Sequence, residues 1–368
     1  MSDASDSSDA DDGGVFFEAP DRAYTVRDVL LAADLRGELG GLRESVRQGI
    51  ACVRYAEEEG FEVSDEDLQQ AADSLRYELD LETEEATEAW FERNGVSAED
   101  FTDHLMRRLL RDRLQDRLAH VAAQVHVLAR EAEPLLRVEA LLGGDLARLA
   151  LALARRAAVR AGYAARGDRP NASLLDARRD VFLGERGLGT EAKWGEWMAE
   201  HGVHPELFEH LLDLETLYRT RISGLLTADR LRRETQVRVA DCVRMCLEGA
   251  AFPSASAARE AIVCVREDGD PLEDVARRCG ARMHRSRAFL PDHNRVPRAQ
   301  LLSARVGDLL GPFADSETEH WVYRVCEKEN ASPEEPEVLE RMKAGLVDGL
   351  VAGDLDEHIR WVMPRPGG

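Results

Sequence analysis

The sequence predicts a mainly α protein with a small C-terminal α+β domain, and three observations carry that expectation. Of 368 residues, 44% are apolar and 32% charged but only 6% aromatic, a balance suited to Leu- and Ala-rich helical packing. Compared with itself at an offset of 107 residues, the chain matches without gaps over its first two thirds. From about Gln236, Val-rich alternating segments replace the helical period. A chain of this length divides into two or three domains.

The first residues, Met-Ser-Asp-Ala-Ser-Asp-Ser-Ser-Asp, carry no apolar run, so the sequence predicts a disordered acidic tail within residues 1–20, its acidic run ending near Gly14. Two helical bundles follow, over residues 21–140 and 141–234. In the first, Ser64 caps a helix whose opening turn is acidic and whose apolar stripe is Leu68, Ala71, Ala72, Leu75 and Leu79. A second helix runs from Glu84 to Arg93 and stops at Asn94-Gly95, where glycine can take the left-handed conformation. Ser97 caps a third, with Phe101, Leu105, Leu109 and Leu114 along its stripe.

The second bundle repeats the plan, with Asn171 or Ser173 as a cap and His201-Gly202 as the stop. The segment from Trp90 to Phe101 aligns with that from Trp197 to Phe208, and Gly60, Leu68, Leu75, Leu81 and Leu105 pair with Gly167, Leu175, Phe182, Leu188 and Leu212. Leu141-Leu142-Gly143-Gly144-Asp145 has too few glycines for a nucleotide fingerprint and reads as the link between the bundles.

Residues 235–330 read as the α+β part. The segment Gln236–Met245 and the segment His320–Val325 alternate as strands, and a helix is expected over Ser256–Cys279, broken near Gly269-Asp270-Pro271. Gln300-Leu301-Leu302 and the final stretch from Pro336 to Val362 read as closing helices, the latter with Val338, Leu339, Met342, Leu346, Leu350, Leu355, Ile359 and Trp361 on apolar positions.

Charge excludes several partners. With 48 basic against 71 acidic residues, the formal net charge is −23, a field that repels a phosphate backbone, so no nucleic acid is expected. Arg107, Arg108, Arg111, Arg113 and Arg117 form a basic run interrupted by Asp112 and Asp116, which reads as a solvated helix face. No apolar run reaches the roughly 20 residues that span a bilayer, and the N-terminus has neither the basic start nor the apolar segment of a secretory signal. A cytoplasmic protein is expected, with no membrane partner. Cys242 and Cys246 lie four apart, with Cys264 and His284 as the nearest further donors, but the spacing is unlike a zinc finger; buried thiols and no metal or other cofactor are expected.

Two stretches resemble known families. The run from Val63 to Gln70, the Trp90–Phe101 segment and the basic helix after it are similar to the N-terminal helical domain of SurA-type chaperones, over about residues 42–120 and again, less closely, over 148–225. The part beyond resembles parvulin-type prolyl isomerases. Gly269-Asp270-Pro271-Leu272-Glu273-Asp274-Val275-Ala276 is similar to the family's Gly-x-x-Phe-x-x-Leu-Ala helix, Val306 to Phe313 to its Pro-Gly-Glu-Val-Ser-Gly-Pro-Val turn, and the closing strand to its Gly-Tyr-His-Ile-Ile-Lys-Val. The resemblance implies a degenerate isomerase domain. Trp321 stands where the closing-strand histidine would be, Cys242 or a neighbour where the first-strand histidine is expected, and Met283–Pro291 replaces a glycine-rich segment. It further implies that residues 331–368 form a helix packing back on the helical part, and a peptide pocket drawn from Cys242, His284, Phe289, His320 and Trp321.

Isomerisation lowers a barrier of about 18–20 kcal/mol mainly by twisting the amide in an apolar groove. With the usual residues missing, the expected role is chaperone-like binding of unfolded polypeptide or a precursor peptide without isomerase activity, as in peptide maturation. An active prolyl isomerase built around Cys242, Phe289 and His320, and a structural subunit that binds a partner protein, are the alternatives.

Overall fold

The computed structural model describes residues 14–167, 171–316, 319–332 and 334–363. It is mainly α with small antiparallel sheets. One compact unit comprises the chain up to Arg221 together with the stretch from Leu350; Ile222–Gly349 forms the other. The expected acidic tail lies outside the described residues up to residue 13. Beyond them it is corrected: Phe16 and Phe17 are buried, and Val15–Glu18 forms strand β1, paired antiparallel with β2 (Ala23–Thr25).

Side-chain caps set the helix starts of the first unit. Thr25 and Asp28 form a capping box at α1 (Val26–Leu35). After α2 (Gly40–Glu59), Ser64 caps α3 (Asp65–Glu78), Thr83 caps α4 (Glu84–Asn94), and Ser97 with Asp100 boxes α5 (Ala98–Arg113). Shorter helices follow: α6 (Leu118–Gln124), α7 (Ala129–Ala132) and α8 (Leu136–Leu142). Then come α9 (Asp145–Ala165), α10 (Ala172–Glu185), α11 (Glu191–Glu200) and α12 (Pro205–Leu225). Of the two caps expected before α10, Asn171 is the one that accepts, from the Ser173 amide.

Helices α10, α11 and α12 each start 107 residues after α3, α4 and α5. The stops correspond too, since Gly95 and Gly202 take φ of +56° and +59°, open to glycine without strain. Leu75, Phe101 and Leu105 centre one core, and Phe182, its ring 5.4 Å from Trp197 and 5.3 Å from Phe208, centres the other.

The expected division near residue 140 does not separate the two sets of helices, because each short helix preceding a set packs on the other. Helix α1 lies against α9, whereas α8 lies against α2 and α5. Arg27 on α1 donates to the Gly202 carbonyl at 2.6 Å, and Arg137 on α8 to the Asn94 carbonyl at 2.8 Å. Buried Asp34 accepts from Arg43 of α2 at 2.6 Å and from Arg186, just past α10, at 2.9 Å. The basic run is also corrected at one position: Arg107 is buried rather than solvated.

In the second unit, α13 (Ala228–Val237) occupies the start of the stretch expected as strand, its backbone bonding continuing to Arg238. The strand β3 therefore begins later, at Val243–Phe252. Ser254 caps α14 (Ala255–Val263), and α15 (Leu272–Arg278) follows Gly269, where the expected break falls. Then come β4 (Arg282–Phe289), α16 (Arg298–Ser303), β5 (Leu309–Ser316) and β6 (Glu319–Asn330). The sheet is antiparallel in the order β4-β3-β6-β5.

Strand alternation assigns Ala250, Phe252 and Val322 to the face under α14 and α15, and Met245, Leu247, Trp321 and Tyr323 to the face covered by Leu290, Val296 and Leu301. Lys328 fastens that cover by donating to the carbonyls of Leu301, Leu302 and Ala304 at 2.8–2.9 Å.

The last helix, α17 (Pro336–His358), does not belong wholly to the helical unit, as the sequence led us to expect. Its Val338 and Met342 pack with Cys242, Phe289 and Ala331 of the α+β unit. Trp361, expected on a helix, lies in β7 (Arg360–Trp361), which pairs with β1.

His210 of α12 lies 2.7 Å from the Tyr24 hydroxyl. Burial and the charges of Arg160 and Arg22, against the opposing charge of Asp21, lower its imidazole to about 4. The unfolded chain takes up this proton near the ordinary value of 6.5 and the folded chain only near 4, so its contribution to stability is full above pH 6.5 and lost as pH falls through that window. Urea unfolding of His210→Gln should show a shallower loss of stability between about pH 6.5 and 4 than the wild-type chain.

Candidate functional site

The five residues expected to share a pocket are divided by the sheet. Residues directly opposite on antiparallel strands point to the same face. Phe289 pairs with Arg244 and His320 with Phe252, placing both on the helix-covered side. His284 pairs with Gly249, and Trp321 with Ala251, on the other side.

Phe289 and His320 also stand at opposite ends of β3, eight residues apart, about 26 Å at 3.3 Å per residue. Cys242 and Phe289 do meet, but in a closed core with Ala331, Val338 and Met342. Cys242 sits in a turn ahead of β3; burial raises its thiol, and its Sγ contacts the Arg238 carbonyl at 3.7 Å. The pocket of Cys242, Phe289 and His320 is therefore not assembled, because alternation and strand length hold its members apart. Cys246 is buried and Cys264 half-buried; His284 is exposed on the outer strand.

A site does form around Trp321. Gly249, lacking a side chain, leaves room on the central strand for Tyr323, whose ring stacks on Trp321 at 5.6 Å between centroids and 9° between planes. Phe313 of β5 stands 6.3 Å from the Tyr323 ring, and the Arg295 guanidinium lies 5.0 Å over Trp321 while ion-paired to Asp315 at 2.9 Å. Asn294, Arg295, Phe313, Ala314, Asp315 and Trp321 enclose a cleft of about 410 Å³.

Trp321 is 3% exposed, and its Nε1 is buried with no hydrogen-bond partner among the described residues. Burial raises the Tyr323 phenol despite the charge of Arg295, so the hydroxyl stays protonated. The charged groups lining the cleft neutralise each other, leaving the half-buried Phe313 ring, the Asn294 amide and the buried N–H donor of Trp321 as groups that can hold an amide.

Sequence reasoning found Trp321 but missed Tyr323, Phe313 and Arg295. Tyr323 was findable, because two residues along a strand return to the same face. Arg295 lies in an irregular loop with no periodic signal.

No protein-family model matches the chain, and no curated protein matches it. Among solved structures it is similar to the foldase protein PrsA from Streptococcus pneumoniae, with 10% identity, 58% of this chain and 85% of that chain covered, and a TM-score of 0.24. It is also similar to a structure from work on PEB4 and Cj1289, two structurally related SurA-like chaperones of Campylobacter jejuni, with 10% identity, 66% and 92% covered, and a TM-score of 0.22. TM-scores of this size support no functional inference.

A Cβ at position 249 would lie 2.5 Å from the Tyr323 ring and 3.1 Å from Trp321. Gly249→Val should therefore displace the stacked pair, costing about 1–3 kcal/mol in urea unfolding and weakening the near-ultraviolet circular dichroism of the aromatic rings.

Proposed function

We propose that this chain binds extended polypeptide, an unfolded chain or a precursor peptide, in the cleft beside Trp321 and releases it chemically unchanged. The observation that carries this reading is the buried Nε1 donor of Trp321, a cleft-lining residue, without a partner among the described residues. An unmade hydrogen bond of this kind costs about 1–3 kcal/mol, and a backbone carbonyl of a bound peptide removes the cost. Phe313, half-buried in the lining of the cleft, offers apolar surface to the adjoining side chain.

Release without turnover is supported by the dispersal of the residues expected in an isomerase pocket. Asp315 is engaged by Arg295, and His284, His320 and Cys242 stand in places from which they cannot act together.

Isothermal titration against a reduced, alkylated and permanently unfolded protein should show binding in roughly the micromolar range, about −8 kcal/mol. Phe313→Ala, at a half-buried position, should weaken it by about tenfold while helical circular dichroism is unchanged. A protease-coupled assay on Xaa-Pro peptides should show only the uncatalysed rate. Absence of binding would sink the proposal, and turnover lost in Phe313→Ala would replace it with an active isomerase.

A further inference from the structure

The first helical set contains a cleft of about 430 Å³ that the second set has filled, a volume within the usual range for ligand sites. Its wall includes His104, Arg107, Arg108 and Arg111 of α5, Glu139 of α8, and the Gly143-Gly144-Asp145 turn entering α9. The sequence-based reading of these segments as a solvated face and a plain link did not foresee a shared cavity.

The offset of 107 residues supplies an internal control. His104, Arg107 and Glu139 correspond to Leu211, Leu214 and Ala32, which are 3%, 0% and 3% exposed. The same helix arrangement therefore packs with apolar residues at these three places, and the polar set is not a requirement of the fold.

Gly49 and Gly143 correspond to Arg156 and Arg36. In the second set Arg156 bonds Glu215 at 2.5 Å, while Arg36 bonds Glu38 at 2.7–2.8 Å within electrostatic reach of Arg156 and Glu215. Two large cations and their partners thus occupy the counterpart space. In the first set two glycines stand in their place, Gly49 against the Arg107 side chain and Gly143 against the Glu139 carbonyl, and both line the cleft.

The open cleft has a definite chemical demand. Glu139 accepts from Arg107 Nε at 2.6 Å and lies 2.8 Å from His104 Nδ1. Burial raises the Glu139 carboxyl, but the His104 bond and the charges of His104 and Arg107 outweigh it and hold the group below its ordinary range. An ionised carboxylate only accepts, so Nδ1 donates to it and Nε2 is the ring nitrogen left over. His104 is 4% exposed, and that Nε2 has no partner among the described residues.

Arg108 makes no ion pair among the described residues, and Arg111 bonds the Ser45 hydroxyl rather than a carboxylate. Asp145 is paired with Arg148, and Glu78 is the acid left at the rim. A ligand must bring an anion for two guanidiniums and, close by, a second polar group for a buried ring nitrogen.

We infer that the cleft holds the C-terminal carboxylate of a peptide, the carboxylate on Arg108 and Arg111 and the adjoining peptide group on His104 Nε2. This rests on the peptide-binding reading above and gives the helical unit, by itself, the recognition of a peptide's chemical end.

Isothermal titration of the full chain with a peptide of about ten residues, as the free acid and as the C-terminal amide, tests it. The acid should bind at least about tenfold tighter, and Arg108→Ala with Arg111→Ala should abolish the preference. A second variant, His104→Leu with Arg107→Leu and Glu139→Ala, installs residues the second set already buries; it should keep its helical content and also lose the preference. Equal affinity of acid and amide in the wild-type chain overturns the inference and leaves the peptide-binding reading standing. If neither peptide binds, that reading fails, and a separate probe decides the cleft: N-acetylglycine should shift the His104 ring signals in histidine-labelled protein, whereas its amide should not. No shift with N-acetylglycine overturns the carboxylate site independently.

Discussion

The helical unit depends on an exchange of short helices. Helix α1 precedes one set of helices and seats the long helix of the other, while α8 does the reverse. Each brings an arginine that meets carbonyls at the end of a helix in the set it visits, Arg27 at His201 and Gly202 and Arg137 at Asn94 and Gly95. Those carbonyls have no intrahelical donor and carry the negative end of the helix dipole, so a guanidinium there meets an unmet need. Asp34 ties the arrangement together, buried between Arg43 and Arg186. Removing one partner of such a buried group leaves an uncompensated charge, with a cost of about 3–5 kcal/mol. The two sets therefore form one compact body, despite a glycine-containing turn between them that looks like a boundary.

In the α+β unit the governing constraint is the twofold period of a strand. It decides which side chains can cooperate before any distance is considered. Trp321 and Tyr323 stack because two residues separate them and because Gly249 leaves the neighbouring strand bare at that point. His320, adjacent to Trp321 in sequence, is thereby sent to the opposite face. An aromatic surface for binding and a dispersed set of histidines and cysteines are two outcomes of one alternation.

Local signals were the legible part of this chain. Ser64, Ser97 and Asn171 act through bonds within three residues of themselves, and Gly95 and Gly202 through their own φ, so reading a short window suffices. What failed needed distant partners. Strand β4 carries Arg282, His284, Arg285 and Arg287 outward and shows little apolar alternation, so only its pairing with β3 marks it. Strand β1 is four residues long and is completed by β7 from the far end of the described chain. Arg107 illustrates the same limit: its neighbours Arg108 and Arg113 are exposed, and only the bare surface of Gly49, a Cβ from which would come within 3.0 Å of the Arg107 Cβ, allows it to turn inward.

That inward turn bears on why the first helical set keeps charge where the second keeps leucine. Desolvating an ion pair costs several kcal/mol per ion before attraction returns any of it, and well-packed apolar residues of similar volume do as well or better. The second set demonstrates the apolar solution inside the same molecule, with Leu211, Leu214 and Ala32 closed to solvent. Stability alone gives no reason to maintain His104, Arg107 and Glu139 with one imidazole nitrogen unsatisfied. Orientation does: Arg107 and His104 fix Glu139, Glu139 fixes the His104 ring, and Nε2 is held ready for a partner that the described residues do not provide. A ligand that supplies the partner meets a polar group whose desolvation is already complete, so the bond it forms counts nearly in full toward binding.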